Sequence, residues 1–202
     1  MNPCVSIRPA QPDDATIAAS LIRLTMGGSA DLFSDIESGW TSEKLLAALF
    51  ARSGGRFGYQ VGTILIADDT AVGLLVSYPA SKLTMLDLVT GRTLLSILGI
   101  RPTIRFAKRM SAMLNLREAE RGEYYISNVG VLPDFQGNGY GARLLTLAEE
   151  QARKFGLKRC SLIVDQQNDG AIRLYQRFGY RIVFSGKLDG ESGYHRMVKE
   201  LA

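Results

Sequence analysis

The segment Val129-Gly130-Val131-Leu132-Pro133-Asp134-Phe135-Gln136-Gly137-Asn138-Gly139-Tyr140-Gly141-Ala142 constrains the fold more than any other in this chain. A β-type run stops at a proline, and glycines at alternate positions then open a helix. That helix shows an apolar face of Leu144, Leu147, Ala148, Ala152 and Phe155 at helical spacing, and Gly156 stops it. Glycine lets successive backbone N–H groups converge with no Cβ in the way. A helix start adds unpaired N–H groups and the positive end of the helix dipole. Three glycines beside a helix start are costly without a ligand. The segment therefore reads as a strand–loop–helix unit that binds a pyrophosphate or a similar anion.

Two common phosphate loops fit poorly. A nucleoside-triphosphate loop needs Gly-Lys-Ser/Thr, whereas Gly141 is followed by Ala142-Arg143. Gly137-x-Gly139-x-x-Ala142 matches a dinucleotide fingerprint formally. That motif should sit directly on the strand end, but Pro133 to Gln136 intervene. About 60 residues follow it, too few for a full doubly wound sheet.

Val5 to Arg8 reads as a first strand closed by Pro9. Asp13 or Asp14 then caps a helix running toward Met26, with Ile17, Leu21 and Leu24 as its stripe. Thr41 or Ser42 caps a second helix with Leu45, Leu46, Leu49 and Phe50 on one face, ended by Gly54-Gly55. Gln60 to Ala67 and Ala71 to Tyr78 form a hairpin about Asp68-Asp69-Thr70. Glu123 to Leu132 is a strand, and Arg159 to Val164 has the apolar pattern of a strand buried on both faces. Asn168 or Asp169 caps a short helix with Ala171, Leu174, Tyr175 and Phe178 as its stripe. Strands follow at Tyr180 to Phe184 and Tyr194 to Leu201. The element order predicts one mixed α/β (α+β) domain over residues 1–202.

Residues 80–121 differ in character. They hold eight Lys/Arg and three acids, a net of +5 in a chain of net +4. Two helical pieces are predicted, broken near Gly99 to Pro102. Leu94, Leu95, Leu98, Ile104, Met110, Met113 and Leu114 offer more apolar surface than a solvated connection needs. This segment reads as an ordered helical insertion that covers one side of a cleft or a dimer contact. Its basic excess disfavours a lysine-rich ligand there and suits an acidic or neutral one.

The mild net charge does not demand nucleic acid. His195 is the only histidine, and Cys4 and Cys160 lie far apart, so neither a metal cluster nor a disulfide framework is expected. The N-terminus lacks the pattern of a signal peptide, and the longest uncharged run noted, Thr70 to Ser81, is 12 residues, against roughly 20 for a membrane span. A cytoplasmic protein without membrane or nucleic-acid partners is the expectation.

Gln136, Gly139 and Gly141 match Gln/Arg-x-x-Gly-x-Gly/Ala, and the segment resembles the acetyl-coenzyme A motif of the GNAT superfamily of N-acyltransferases. A second block, Asn168, Ala171, Leu174-Tyr175 and Phe178-Gly179-Tyr180, matches in order and spacing. The resemblance is strong over about residues 123–184 and weaker over 5–79, and residues 80–121 depart from the usual short connection. It implies the GNAT fold, a mixed and mostly antiparallel sheet with flanking helices, here with the helical insertion between the third and fourth strands. It also implies a splay between the fourth and fifth strands that admits pantetheine as an extra strand. Backbone groups of Val129, Gly130 and Val131 would pair with it, and amides of Gln136, Gly137, Asn138, Gly139, Tyr140, Gly141 and Ala142 would bind the pyrophosphate. Asn168 would contact the pantetheine arm besides capping its helix. Tyr175 would be the general acid at the thioester sulfur, although its place on the apolar stripe also suits a core aromatic.

The implied activity is transfer of an acetyl group from acetyl-coenzyme A to a primary amine, on a small molecule or a peptide, by direct attack and without a metal. A homodimer fits as well. The positions that carry a glutamate base in many relatives fall on Tyr125 and Ile163, neither a carboxylate. Glu123, acting through water, is the candidate base, with Ser127 or Asn128 as alternative holders of a relay water. As a strand-start acid Glu123 equally fits a simply solvated position. His195 reads as a near-surface strand residue, Cys160 as a small buried one, and Trp40 as either a pocket wall or an anchor of the second helix. The missing strand carboxylate leaves room for a non-catalytic acetyl-coenzyme A or coenzyme A sensor, and the formal fingerprint for a dinucleotide-binding enzyme.

Overall fold

The computed structural model describes residues 4–34, 39–110, 116–187 and 193–201. Its elements in chain order are β1 (Val5–Pro9), α1 (Ala15–Met26), α2 (Ser42–Phe50), β2 (Gly62–Ala67), β3 (Thr70–Pro79), α3 (Leu83–Leu98) and α4 (Ile100–Met110). They continue with β4 (Glu123–Val131), α5 (Tyr140–Lys154), β5 (Arg159–Asp165), α6 (Asp169–Arg177), β6 (Arg181–Lys187) and β7 (Gly193–Glu200). Among the described residues the strands form one sheet in the order β1-β2-β3-β4-β5-β7-β6. β4 and β5 are parallel, and the other neighbours are antiparallel. This is not the doubly wound parallel sheet of a dinucleotide fold, so that reading falls.

Alternation along each strand sends successive side chains to opposite faces. Ile64, Leu74, Val76, Tyr78 and Tyr125 join one core with α1, α2, Leu86 and Leu94 of α3 and Phe106 of α4. Leu65, Leu75, Tyr124, Ile126, Cys160 and Leu162 join a second core with α5 and Tyr175 of α6. The β2–β3 hairpin turns through Asp68 (φ 45°) and Asp69 (φ 61°), the left-handed pair that matches strand twist and that Asp tolerates.

Several local expectations are corrected. Thr41 caps α2 by accepting from the Lys44 N–H (3.2 Å), but α2 stops at Phe50, ahead of Gly54-Gly55. Leu24 and Phe155, placed on apolar stripes by periodicity, are exposed. Phe155 stacks on Tyr124 at a ring separation of 5.8 Å, with the Lys82 ammonium over its ring.

Asp14 stands at the start of α1 but does not cap it. Its carboxylate turns back to accept from Arg8 Nη1 and Nη2 (2.8 and 2.7 Å) and from the Gln11 N–H (2.7 Å). The Arg8 guanidinium holds this carboxyl below the usual carboxylate range. A depressed folded value means stabilisation that is full above the ordinary carboxylate pKa of ~3.9 and is lost as pH falls through the folded value. Asp14→Asn is therefore expected to flatten the acid limb of stability against pH below about 4. Parallel acid limbs in denaturant titrations of the two proteins would refute this linkage.

The insertion is helical, as predicted, and lies between β3 and β4. Gly99 (φ 78°) breaks it, and Pro102 sits in the first turn of α4, where its missing N–H is no loss. Leu86, Leu94 and Phe106 are buried, whereas Leu95 and Ile104 face outward. Met113 and Leu114 lie outside the described residues. Among those described, no helix is long and apolar enough to cross a membrane.

Candidate active site

The sheet opens at the β4–β5 seam. Parallel pairing runs from Glu123↔Arg159 to Ile126↔Leu162 and stops there, although β4 continues to Val131 and β5 to Asp165. The cause lies on the other edge of β4. Against β3, Ser77 pairs Ile126 and Val76 pairs Asn128, so Ser127 is an extra residue in a bulge. A bulge bends its strand and increases local twist, which turns Ser127 to Val131 away from β5. Both diverging segments line a cleft of about 1780 Å³ that also receives α5, α6, the loop after α2 and the insertion.

At one end of the cleft lies the glycine loop. Gln136 Nε2 donates to the Val131 carbonyl (3.1 Å), and Asn138 Nδ2 donates to the carbonyls of Phe135 (3.1 Å) and Gln136 (3.3 Å). These side chains therefore brace the loop. Gly137 (φ 81°) and Gly139 (φ 78°) hold the left-handed conformations that route the chain into α5. Gly141 has no such demand, and a Cβ there would touch Leu174 of α6 at 3.4 Å. Arg143 is the first amide of this helix start with a backbone acceptor, the Gly139 carbonyl at 3.1 Å. The amides of Tyr140, Gly141 and Ala142 remain as helix-start donors, suited to phosphate oxygens.

Asn168 caps α6, its Oδ1 accepting from the Ala171 N–H (3.0 Å). Tyr175 lies on the buried side of α6, lines the cleft and approaches Tyr180 at a ring separation of 6.1 Å. Burial pushes its phenol up to about 12. It stays protonated at neutral pH and available as a donor.

Glu123 neither floats in solvent nor reaches the cleft. It is 1% exposed, and Arg196 Nη2 donates to both of its oxygens at 2.6 Å. The Glu120 N–H donates to Oε2 (2.8 Å) and Arg159 stands 3.8 Å away. The solvated reading is corrected: this carboxylate is a buried ion-pair partner. Ser127 does reach the cleft. Its hydroxyl donates to Asn128 Oδ1 (3.1 Å), while Asn128 Nδ2 donates to Thr25 Oγ1 (2.8 Å). Asn128 is thus committed to the fold, and the Ser127 oxygen stands on the cleft wall beside the Tyr78 hydroxyl. Ile163 also lines the cleft.

The other end of the cleft holds polar groups that sequence reasoning missed. Arg56, on the loop after α2, pairs with Asp87 of α3 (3.4 Å) and with Glu118. Its backbone N–H donates to Thr90 Oγ1 (2.8 Å), tying the loop to the insertion. Tyr78 and Tyr125 lie below it, ring centroids 5.8 Å apart. Burial raises both phenols, and the Arg56 charge opposes the rise. The buried Tyr78 hydroxyl lies beside Arg56 and Ser127. A usable signal was present: Leu83, Asp87, Thr90 and Leu94 fall on one face of α3, and that face lines the cleft. Of the insertion's charged residues, Asp87, Glu118 and Glu120 line the cleft, with Arg117 as the one base among them. The expectation that basic residues face the acceptor is overturned.

The remaining candidates lie elsewhere. His195 Nδ1 is 2.8 Å from Ser185 Oγ at the β6–β7 seam. Cys160 is fully buried, and burial pushes its thiol up to about 12. Trp40 packs against the core beside α2, half-buried.

A family model described as the acetyltransferase (GNAT) family matches residues 63–180. A probable spermine N(1)-acetyltransferase of Bacillus subtilis subsp. natto is 37% identical over 83 residues, 41% of this chain and 53% of that relative. The chain's matches span about half or less of the length of the first curated relatives. An N-acetyltransferase from Staphylococcus aureus Mu50 superposes with a TM-score of 0.72 at 21% identity, covering 96% of this chain and 99% of that one. A GNAT family acetyltransferase from Elizabethkingia anophelis, solved with acetyl-CoA bound, gives 0.56 at 16% identity, covering 98% of each chain. The bulged strand, the glycine loop and α6 all fall inside the matched stretch, which is more than half of the chain, and the protein belongs to the acetyltransferase (GNAT) family.

Proposed function

We propose that the protein transfers an acetyl group from acetyl-coenzyme A to a primary amine by direct attack. The observation that carries this reading is the β4–β5 splay, which leaves the edge of β4 from Ser127 to Val131 unpaired by β5. An extended amide-bearing arm such as pantetheine can pair there as an added strand. The helix-start amides of α5 fit its pyrophosphate, and the Asn168 side chain stands beside the arm's path. When bound, acetyl-coenzyme A supplies an acetyl thioester. The chain's own groups do the rest. Ser127 Oγ, its hydrogen given to Asn128, accepts an N–H from the incoming amine and orients the nitrogen lone pair. A backbone N–H near Val129 stabilises the oxyanion. As the carbon–sulfur bond breaks, Tyr175 gives its proton to the sulfur, the nitrogen that attacked sheds one proton to solvent water to become the neutral amide, and the phenolate regains a proton from water. The burial that raises this phenol also disfavours a thiolate, so the transfer is better matched than bulk pKa values suggest.

The buried pairing of Glu123 favours a second reading, a coenzyme A-binding sensor without turnover. Thermal unfolding with acetyl-coenzyme A, coenzyme A and NAD, combined with thiol release across an amine panel, separates the two. Acetyl-coenzyme A at 100 times its Kd should stabilise the fold by about 2.7 kcal/mol, with no shift from NAD. Gly139→Val should weaken that binding, because a β-branched residue resists a positive φ. Undiminished affinity in this variant would remove the pyrophosphate assignment. Binding without thiol release to any amine would establish the sensor.

A further inference from the structure

We propose that the outer face of the insertion docks on an anionic lipid bilayer, with α3 and α4 lying on the surface. This departs from the expectation of a protein without membrane partners.

The basis is a second apolar face on helices already committed to the core. On α3, Leu86 and Leu94 are buried, and Leu83, Asp87 and Thr90 line the cleft beside them. Met85, Leu88, Arg92 and Leu95 follow one another at spacings of three and four residues on the opposite side. Of these, Met85, Leu88 and Leu95 are 63, 52 and 46% exposed. On α4, Pro102 and Phe106 are buried, while Ile100 and Ile104, one turn apart, are 68 and 52% exposed. A singly exposed aliphatic side chain needs no explanation. Here five of the nine large apolar side chains exposed among the described residues fall within residues 85–104, so they are concentrated rather than scattered.

Charge selects the occupant. Residues 82–109 hold six bases, all exposed: Lys82, Arg92, Arg101, Arg105, Lys108 and Arg109. Their one acid, Asp87, lines the cleft. Arg101, Arg105 and Lys108 share the exposed side of α4 with Ile104. A bilayer containing acidic lipid complements both features. Aliphatic side chains enter the boundary between headgroups and acyl chains, and the bases meet lipid phosphates. A second copy on a two-fold axis would bring the same bases face to face. The phosphate backbone of a nucleic acid offers aliphatic side chains no partner. Protein interfaces rely on aromatic anchors, and Phe106, the one aromatic in α3 and α4, is buried. α3 has 16 residues and α4 has 11, with a break at Gly99, so neither is long enough to span a bilayer. The opposite face of α3 lines the cleft, so docking would hold the cleft one helix diameter, ~10 Å, from the lipid.

The test is flotation of the full chain with two kinds of vesicle, phosphatidylcholine alone and phosphatidylcholine mixed roughly 2:1 with phosphatidylglycerol. Partitioning onto the anionic vesicles should exceed that onto the neutral ones by roughly tenfold or more, and added salt should shrink the ratio. Arg92→Gln/Arg101→Gln should lower anionic binding by roughly tenfold. Leu88→Ser/Ile104→Ser should lower it by a similar factor of about ten at constant charge. All four positions are exposed and none lines the cleft, so circular dichroism and thermal unfolding should match the wild type. These readouts need no substrate and hold whether or not the protein turns over. The serine pair separates lipid docking from adhesion to any polyanion, because retention on immobilised polyaspartate should not depend on Leu88 or Ile104. Anionic-vesicle binding indifferent to the serine pair would overturn the proposal, as would absence of binding to anionic vesicles. A dimer in sedimentation equilibrium that the serine pair dissolves would give the face to a second copy and overturn it too.

Discussion

Tyr175→Phe is expected to lower turnover by ~10²-fold at saturating substrates, with acetyl-coenzyme A affinity unchanged. The substitution removes one oxygen. The ring still fills the buried position on α6 and still faces Tyr180, so packing loss cannot supply an effect of that size. A phenol pushed up to about 12 by burial is protonated across the working pH range. It donates to the leaving sulfur only when charge builds there, which is the condition for acting on the transition state. A second measurement sharpens the test. An acetyl thioester with a more acidic thiol needs less help to leave, so the Phe variant's deficit should narrow on it. Wild-type turnover in the variant, or a deficit independent of the leaving thiol, would return Tyr175 to packing alone.

The elements that build the coenzyme end of the cleft were legible because their signals are local. The Asn168 cap lies three residues from the amide it serves, and Gly137 and Gly139 mark positive φ directly. The splay was reached only through a family resemblance. Its origin, the bulge at Ser127, depends on how β4 registers against β3, and no residue type announces it. Periodicity also misplaced Leu24 and Phe155. Leu24 ends exposed although Met26 beyond it packs on the core, because the buried face of α1 runs through Ala18, Leu21 and Ile22, and Phe155 ends exposed just past the end of α5.

The acceptor end was less legible for a different reason. Net charge counts residues, whereas a ligand meets the charges on one face. Residues 80–121 sum to +5, yet the face of α3 that carries Asp87, together with the return segment carrying Glu118 and Glu120, turns inward. Arg56 comes from a loop 31 residues before Asp87 and 62 before Glu118. Pairings of that separation come from tertiary packing and leave no mark on local pattern.

Glu123 and Arg196, 73 residues apart, carry that point into stability. Glu123→Gln is expected to destabilise the fold by about 3–5 kcal/mol, because it leaves a buried guanidinium with only its longer 3.6 Å contact to the exposed Glu120. Arg196 is 5% exposed and its Nε is already without a partner, so water offers little compensation. The doubly substituted Glu123→Leu/Arg196→Met protein should recover most of the loss, since removing both charges together also removes the desolvation penalty. Denaturant titration reads the stability, and turnover per folded molecule, measured well below the melting temperature, reads the chemistry. A structural ion pair requires the first to fall while the second holds. If Glu123→Gln instead keeps its stability and loses turnover with a shifted pH profile, the carboxylate acts on the amine after all, and the buried pair is its resting arrangement.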